Sequence, residues 1–306
     1  MKSVKVKAPY WEIAANLYFP ENFDENQKYP AIISGHPIGS CKEQTSGNVY
    51  GEALAKAGFV VIAFDASFQG ESGGEPRSTE NPTLRVEDFR LVTDYLVTQN
   101  FVDENRIGVL GICGGGGYAL NVAMTEKRIK AVGTIDAVNF GRLSREAFSG
   151  WNPLEKLELI AQQRTAEARG EMKQVDDLLP NSVSEAKVAG LTDIDVLEAT
   201  DYYKSERGQK PNGVAKTLFS QSAVSIGWDA FHLAEVLLTQ PLMLIAGDKV
   251  GGFGSYRDTL EIYGRARSEK KELLVVEGWS HYDLYDKPEP VQKALAKLIP
   301  FYKANL

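Results

Sequence analysis

Short unbroken apolar runs recur along the chain at 31–34, 60–64, 107–110, 131–135, 242–246 and 272–276, each ending in a polar or glycine-rich stretch. Runs of this kind predict strands buried on both faces, as in a parallel sheet. Two further strands are expected at 2–7 and 11–19, with Pro9 between them. Helices fall between the runs. One over 49–57 stops before Gly58, which suits a helix C′ position. One over 84–98 places Val86, Phe89, Tyr95 and Leu96 near helical spacing, and others are expected over 118–124 and 291–302. Alternating strands and helices predict an α/β architecture with parallel strands.

The alternation stops between about Asn139 and Gln240, where no convincing strand occurs. Asn152-Pro153 has the form of an N-cap followed by proline at the first helical position. Further helices are expected over 171–179, 193–204 and 230–238. The expected organisation is a core of residues 1–139 and 241–306, with a helical cap insertion, 140–240, lying over one edge of the sheet.

The run from Ile107 to Tyr118, Ile-Gly-Val-Leu-Gly-Ile-Cys-Gly-Gly-Gly-Gly-Tyr, spells strand, tight turn and helix. A nucleophile elbow needs small residues two before and two after the nucleophile, because the neighbouring backbones crowd together there. Gly111 and Gly115 occupy those places around Cys113. The pattern predicts the α/β-hydrolase fold: a mostly parallel central sheet flanked by helices. A helix N-terminus aimed at the sulfur favours thiolate, so an activated Cys113 is expected. Gly114, Gly116 and Ala119 also fit a dinucleotide-binding G-x-G-x-x-A spacing, but that motif belongs after the first strand of its unit, and here several strands precede it. The other competing reading is an inert buried cysteine in a degenerate site.

In this fold the acid and base follow the nucleophile in chain order. Of the three histidines, His36, His232 and His281, only His281 follows the last apolar run, where the general base belongs. Asp248, at the end of 241–247, is the expected acid, and Asp136, ending the previous run, is the runner-up. The acid would hold the imidazole in one tautomer and stabilise its cation. The loop Gly35-His36-Pro37-Ile38-Gly39 should supply an oxyanion donor; proline has no N–H, which leaves Ile38 to act with Gly114. His36 falls in that loop. Phe140, Trp228 and His232, near the two ends of the insertion, are expected to line the substrate pocket, although each could equally pack the insertion onto the core. The turn-rich stretch 65–74 is expected to shape the rim, and Glu43 to be a solvated loop charge or a hydrogen-bonding group near the site.

Charge and cysteine usage narrow the partners. A net charge of −7 argues against nucleic acid, which needs a basic face. Cys41 and Cys113 are far apart, form no disulfide framework and have no metal-ligand spacing, so no metal or organic cofactor is implied. With no apolar h-region near Met1 and no spanning-length apolar run, a cytoplasmic protein without membrane insertion is expected. The expected partner is a small-molecule acyl substrate, and a homodimer is compatible with the sequence.

The stretch from Gly35 to Asp136 resembles the bacterial YcjY-type α/β hydrolases, related to dienelactone hydrolases and to the X-Pro dipeptidyl-peptidase (S15) group. The matching pieces are His36-Pro37, Lys42-Glu43-Gln44, Phe64-Asp65-Ala66-Ser67, the 69–74 turn and the glycine-rich elbow. Resemblance resumes at Phe231-His232-Leu233 and runs through Trp279-Ser280-His281. It implies a working cysteine nucleophile in the order Cys113, Asp248, His281. The long insertion and the His36-Pro37 loop depart from the dienelactone pattern, and fungal relatives of this group process thioesters or polyketides. The expected enzyme is therefore a hydrolase of esters, lactones or thioesters acting through an acyl-enzyme. The alternative is a non-hydrolytic binding or cyclase/lyase relative on the same fold.

Overall fold

The structure is a computed structural model that describes residues 1–146 and 152–306. Eight strands form one sheet: β1 (Lys2–Lys7), β2 (Glu12–Tyr18), β3 (Tyr29–Gly35), β4 (Val60–Phe64), β5 (Val102–Ile112), β6 (Ile129–Ile135), β9 (Leu242–Lys249) and β10 (Lys271–Ser280). Their spatial order is β1-β2-β4-β3-β5-β6-β9-β10. β1 with β2 and β2 with β4 pair antiparallel; from β4 to β10 every neighbouring pair is parallel. All five residues of β4 are buried, whereas β1, at one edge, buries only Val6. That contrast is why the central strands are unbroken apolar runs and the edge alternates lysine with valine.

Helices α1 (Glu52–Lys56), α2 (Pro82–Val97) and α3 (Gly114–Thr125) link the first five strands and β6. The helix expected over 49–57 begins as a wider turn at Thr45–Gly51 and continues as α1. α2 starts on Asn81, whose side chain accepts from the N–H groups of Thr83 and Leu84, with Pro82 at the first helical position.

Between β6 and β9 the chain leaves the sheet through α4 (Phe140–Glu146), α5 (Pro153–Ala168), α6 (Val183–Val188), α7 (Ile194–Lys204), α8 (Ala223–Ile226) and α9 (Ala234–Leu237). Asn152 and Asp193 cap α5 and α7. Two corrections to the sequence reading belong here. The stretch contains an antiparallel ribbon, β7 (Val175–Asp177) on β8 (Lys216–Leu218), and β7 lies where a helix over 171–179 was expected. Each strand is three residues long, too short for a period to register. The helix expected over 230–238 shrinks to α9, preceded by Leu233 in a left-handed conformation. After β9 come α10 (Ser255–Arg265), α11 (Asp283–Asp286) and α12 (Pro288–Asn305). Among the described residues, no helix is long and apolar enough to cross a membrane.

Candidate active site

The loops that follow β3, β5, β6, β9 and β10 converge at the carboxyl end of the sheet, where parallel sheets place their sites. Cys113 stands between β5 and α3 with φ +55°, a region that non-glycine residues rarely adopt. Holding it there costs about 1–3 kcal/mol, and the surroundings fix it. Its N–H donates to Ile135 O, and its C=O accepts from the N–H groups of Gly116 and Val138. A Cβ on Gly111 would lie 2.2 Å from Gly115 O, and one on Gly115 would lie 2.5 Å from Gly35 O. The two glycines therefore let strand, helix and the β3 loop cross at backbone contact.

A Cβ on Gly114 would meet the Ile38 side chain at 2.5 Å and stands 3.8 Å from Ile38 N. Ile38 of the β3 loop therefore packs directly on Gly114, the residue after Cys113.

His36 does not line the pocket; it is fully buried and braces this loop. Its Nδ1–H donates to Pro37 O at 2.7 Å, while Nε2 accepts from Ala66 N–H at 3.0 Å and from Arg85 at 2.8 Å. Arg85 also donates to His36 O and pairs with Glu80, which accepts from the Tyr118 hydroxyl. Burial and the Arg85 charge hold the His36 ring neutral, far below the usual imidazole range. Beneath the same loop, buried Lys42 bridges Asp65, Glu71 and Glu43. Asp65 and Glu71 of the 65–74 turn therefore share one ion network with Glu43 around Lys42.

His281 follows β10 and is also buried. Its Nδ1 meets Ser255 Oγ at 3.0 Å, and Ser255 Oγ donates to Asp136 Oδ1 at 3.3 Å. Its Nε2 meets the Tyr285 hydroxyl at 3.1 Å. Four side chains thus form one hydrogen-bonded line: Tyr285, His281, Ser255, Asp136. Asp248 is not in it. Its Oδ1 accepts Gly278 N–H at 2.7 Å, because β9 runs on to Lys249 and leaves the side chain serving the β10 bulge. The runner-up Asp136 reaches the imidazole through Ser255. Asp136 also sits at positive φ, +46°, and accepts Gly247 N–H. The loop carrying Ser255 is pinned by the start of α7: Asp193 accepts Gly252 N–H and Asp195 accepts Phe253 N–H.

Burial dominates the electrostatics. It pushes the Cys113 thiol up to about 12 and the His281 imidazole down to about 3. It also raises Asp136 well above the carboxylate range. Burial thus works against the thiolate that a helix N-terminus would favour.

Cys113 opens on a cavity of about 130 Å³ roofed by the insertion. Phe140, Leu143, Leu179 and Tyr203 face Ile38 and Val138 across it, and none of the lining residues is charged. Phe140, Leu143, Leu178 and Phe253 also border a wider outer chamber of about 330 Å³ that contains Glu80, Lys156 and Asp176. Of the expected lining residues only Phe140 is at the sulfur. Trp228 packs its ring against Tyr118 at 5.2 Å, and His232 is exposed on a separate surface hollow. Ser255 and Tyr285 were missed. The one available signal was the spacing of Tyr285 four residues after His281.

The sheet order, the strained elbow and the histidine loop define an α/β hydrolase. The model of the X-Pro dipeptidyl-peptidase (S15 family) matches residues 11–283, and the chain belongs to that family. It is 41% identical over 305 residues to the uncharacterized protein YcjY of Escherichia coli (strain K12), covering 97% of this chain and 96% of that one. The crystal structure of hypothetical protein PA2218 from Pseudomonas aeruginosa superposes with a TM-score of 0.88 at 31% identity, over 100% of this chain and 93% of that one. Thiohydrolase aneE of Aspergillus aculeatus matches over 103 residues at 30% identity, 34% of this chain and 32% of that one. S15 is a family of serine peptidases, whereas the elbow here carries a cysteine.

Two predictions follow from this geometry. Asp136→Asn should lower turnover of a chromogenic short-chain ester roughly 10²-fold, less than loss of a directly bonded acid, because Ser255 intervenes. Asp248→Asn should stay within about twofold; the reverse ranking in steady-state assays would return the acid to Asp248. The second concerns the thiol. A raised pKa means Cys113 is protonated at neutral pH and ionises only as pH climbs toward about 12. Its iodoacetamide labelling rate, resolved by peptide mass spectrometry, should keep rising through pH 9, and a plateau below about 8.5 would reveal an ordinary or activated thiol.

Proposed function

We propose that this α/β hydrolase cleaves thioesters or esters of short apolar acyl groups through an acyl-enzyme on Cys113. The observation that carries the reading is the placement of Cys113 at the strained elbow, facing an uncharged cavity, with Ile38 packed on Gly114 next to it. At roughly 30 Å³ per water, 130 Å³ holds about four waters, which suits a short acyl chain. The leaving group would extend into the outer chamber.

The sulfur attacks the carbonyl carbon and the thiol proton passes to His281. Ile38 and Gly114 hold the oxyanion. Collapse of the tetrahedral intermediate breaks the bond to the leaving oxygen or sulfur, which takes the proton back. Water, deprotonated towards His281, then attacks the thioester on Cys113 and releases a carboxylic acid and the thiol. A thiol leaving group needs the least protonation, so this arrangement favours thioesters, and the stretch shared with thiohydrolase aneE supports the same choice.

The family model favours a second reading, cleavage of X-Pro peptides. Against it, an amide nitrogen leaves only when fully protonated. In addition, a dipeptidyl-peptidase must hold a free ammonium, and the cavity at Cys113 offers no carboxylate for one.

A panel of butyryl thioester, p-nitrophenyl butyrate and an X-Pro-p-nitroanilide separates these readings. The thioester and ester should turn over in the wild type and lose at least about 10³-fold in Cys113→Ala. Cleavage of the anilide alone would establish the peptidase, and no release from any of the three would favour a binding or cyclase relative.

A further inference from the structure

A neutral imidazole can act as a base at only one of its nitrogens, because the other carries the proton. His281 is such a ring: it is buried, stacks on Tyr282 at 4.8 Å, and burial holds it neutral at ordinary pH. One of its nitrogens faces Ser255 and the other faces Tyr285. Which of the two keeps the lone pair decides where the ring can take a proton.

The hydrogen bonds on Asp136 settle the tautomer. Oδ1 accepts Gly247 N–H at 3.1 Å and the Ser255 hydroxyl at 3.3 Å. Oδ2 is buried and has no hydrogen-bond partner among the described residues. A proton on Asp136 therefore belongs on Oδ2, and Oδ1 stays an acceptor whether the carboxyl is charged or neutral. Ser255 has one hydroxyl proton, and it is committed to Oδ1. Its oxygen can then meet His281 Nδ1 at 3.0 Å only as an acceptor, so Nδ1 carries the ring proton. The lone pair is left on Nε2, which the Tyr285 hydroxyl meets at 3.1 Å.

Two cap helices hold Ser255 in place. It is the first residue of α10 and follows Gly254, which is left-handed at φ +75°. The loop before it is tied at three points. Asp193 accepts Gly252 N–H at 2.8 Å, Asp195 accepts Phe253 N–H at 2.9 Å, and Arg142 donates to Phe253 O at 2.6 Å. Arg142 belongs to α4 and also pairs with Asp258 of α10. A Cβ on Gly254 would stand 2.7 Å from that guanidinium, so only glycine fits the crossing.

We propose that Ser255 is a positioning residue that fixes His281 in the Nδ1–H tautomer and so leaves Nε2 as the base. For its effect on rate the inference rests on the Cys113 hydrolase reading; the tautomer itself stands on the hydrogen bonds. An acid bonded directly to the imidazole selects the tautomer by its own oxygen. Here a neutral hydroxyl does so by the direction in which its proton points. Ser255 gives up no proton in the reaction: the thiol loses one, Nε2 gains it, and Nδ1–H stays bonded to Ser255 Oγ. Without the hydroxyl, Nδ1–H would be buried with no acceptor, and the ring proton would move to Nε2, where the Tyr285 oxygen can accept it.

The test reads the tautomer directly. The full chain is prepared with isotope-labelled histidine, and the imidazole nitrogens are observed by long-range proton–nitrogen NMR at neutral pH. The chain has three histidines, and His281→Gln identifies the signal. The wild type should show a protonated Nδ1 and a bare Nε2, and Ser255→Ala the reverse. Ser255→Thr, which keeps a hydroxyl, should retain the wild-type pattern. Positioned proton transfer contributes about 10²–10⁴-fold, so kcat of Ser255→Ala for the best ester or thioester should fall by roughly 10² or more. KM should stay within about twofold, and Ser255→Thr should restore most of the rate. A wild-type Nε2–H tautomer, or a Ser255→Ala variant that keeps Nδ1–H, would overturn the proposal. So would a variant that switches tautomer yet keeps kcat within about threefold of wild type. The wild-type spectrum decides even where Ser255→Ala does not fold. Failure of the underlying reading looks different: there Cys113→Ala would keep its activity while the His281 tautomer stayed as described.

Discussion

The left-handed backbone at Cys113 is the constraint on which the site depends. At φ +55° the chain turns from β5 into α3 so sharply that the sulfur stands clear of the sheet. The cost is about 1–3 kcal/mol, and backbone bonds to Ile135, Gly116 and Val138 hold it in place. Gly111 and Gly115 make the close crossing feasible, since a methyl group at either position would enter backbone atoms. The β3 loop bearing Ile38 depends on the same crossing, because it lies on Gly114 and Gly115. That loop is fastened from below by His36, Arg85, Glu80 and Tyr118. A buried Arg–Glu pair is weak evidence of stability; its visible effect here is to fix one conformation of the oxyanion loop.

Burial has two opposing consequences. The insertion roofs Cys113 with Phe140, Leu143, Leu179 and Tyr203, so the sulfur sits among apolar side chains and is largely excluded from solvent. The same exclusion removes the solvation a thiolate and an imidazolium would need, and both groups stay neutral. A site of this kind cannot rest on a preformed ion pair of the sort that activates many cysteine nucleophiles. On the proposed acyl-enzyme reading, the thiol proton leaves the sulfur as the new bond forms. The insertion also supplies support: α7 pins the loop carrying Ser255 through Asp193 and Asp195, so the cap that roofs the pocket helps to aim the imidazole.

Much of this fold was legible in the sequence because its strands are buried on both faces, and such strands announce themselves as apolar runs. The elbow was legible because its glycines answer a local steric demand, and His281 because chain order restricts where a base can come from. What escaped depends on contacts between distant segments. Ser255 opens α10 directly after a glycine-rich loop with no pattern of its own, and its partners His281 and Asp136 follow two other strands. Asp248 was placed by its position at the end of an apolar run, yet β9 continues past it and turns its carboxylate to Gly278. His36 has the residue type of a catalytic group and the environment of a structural one, a difference that only burial and Arg85 reveal. The β7–β8 ribbon is too short for periodicity to register.

The central claim is that the acyl group passes through the sulfur of Cys113. The direct measurement is rapid acid quench of the enzyme during turnover of a short-chain p-nitrophenyl ester, followed by peptide mass spectrometry. The account predicts the acyl mass on the peptide carrying Cys113, absent from Cys113→Ala. An acyl group on another residue, or undiminished turnover by Cys113→Ala without any adduct, would contradict it.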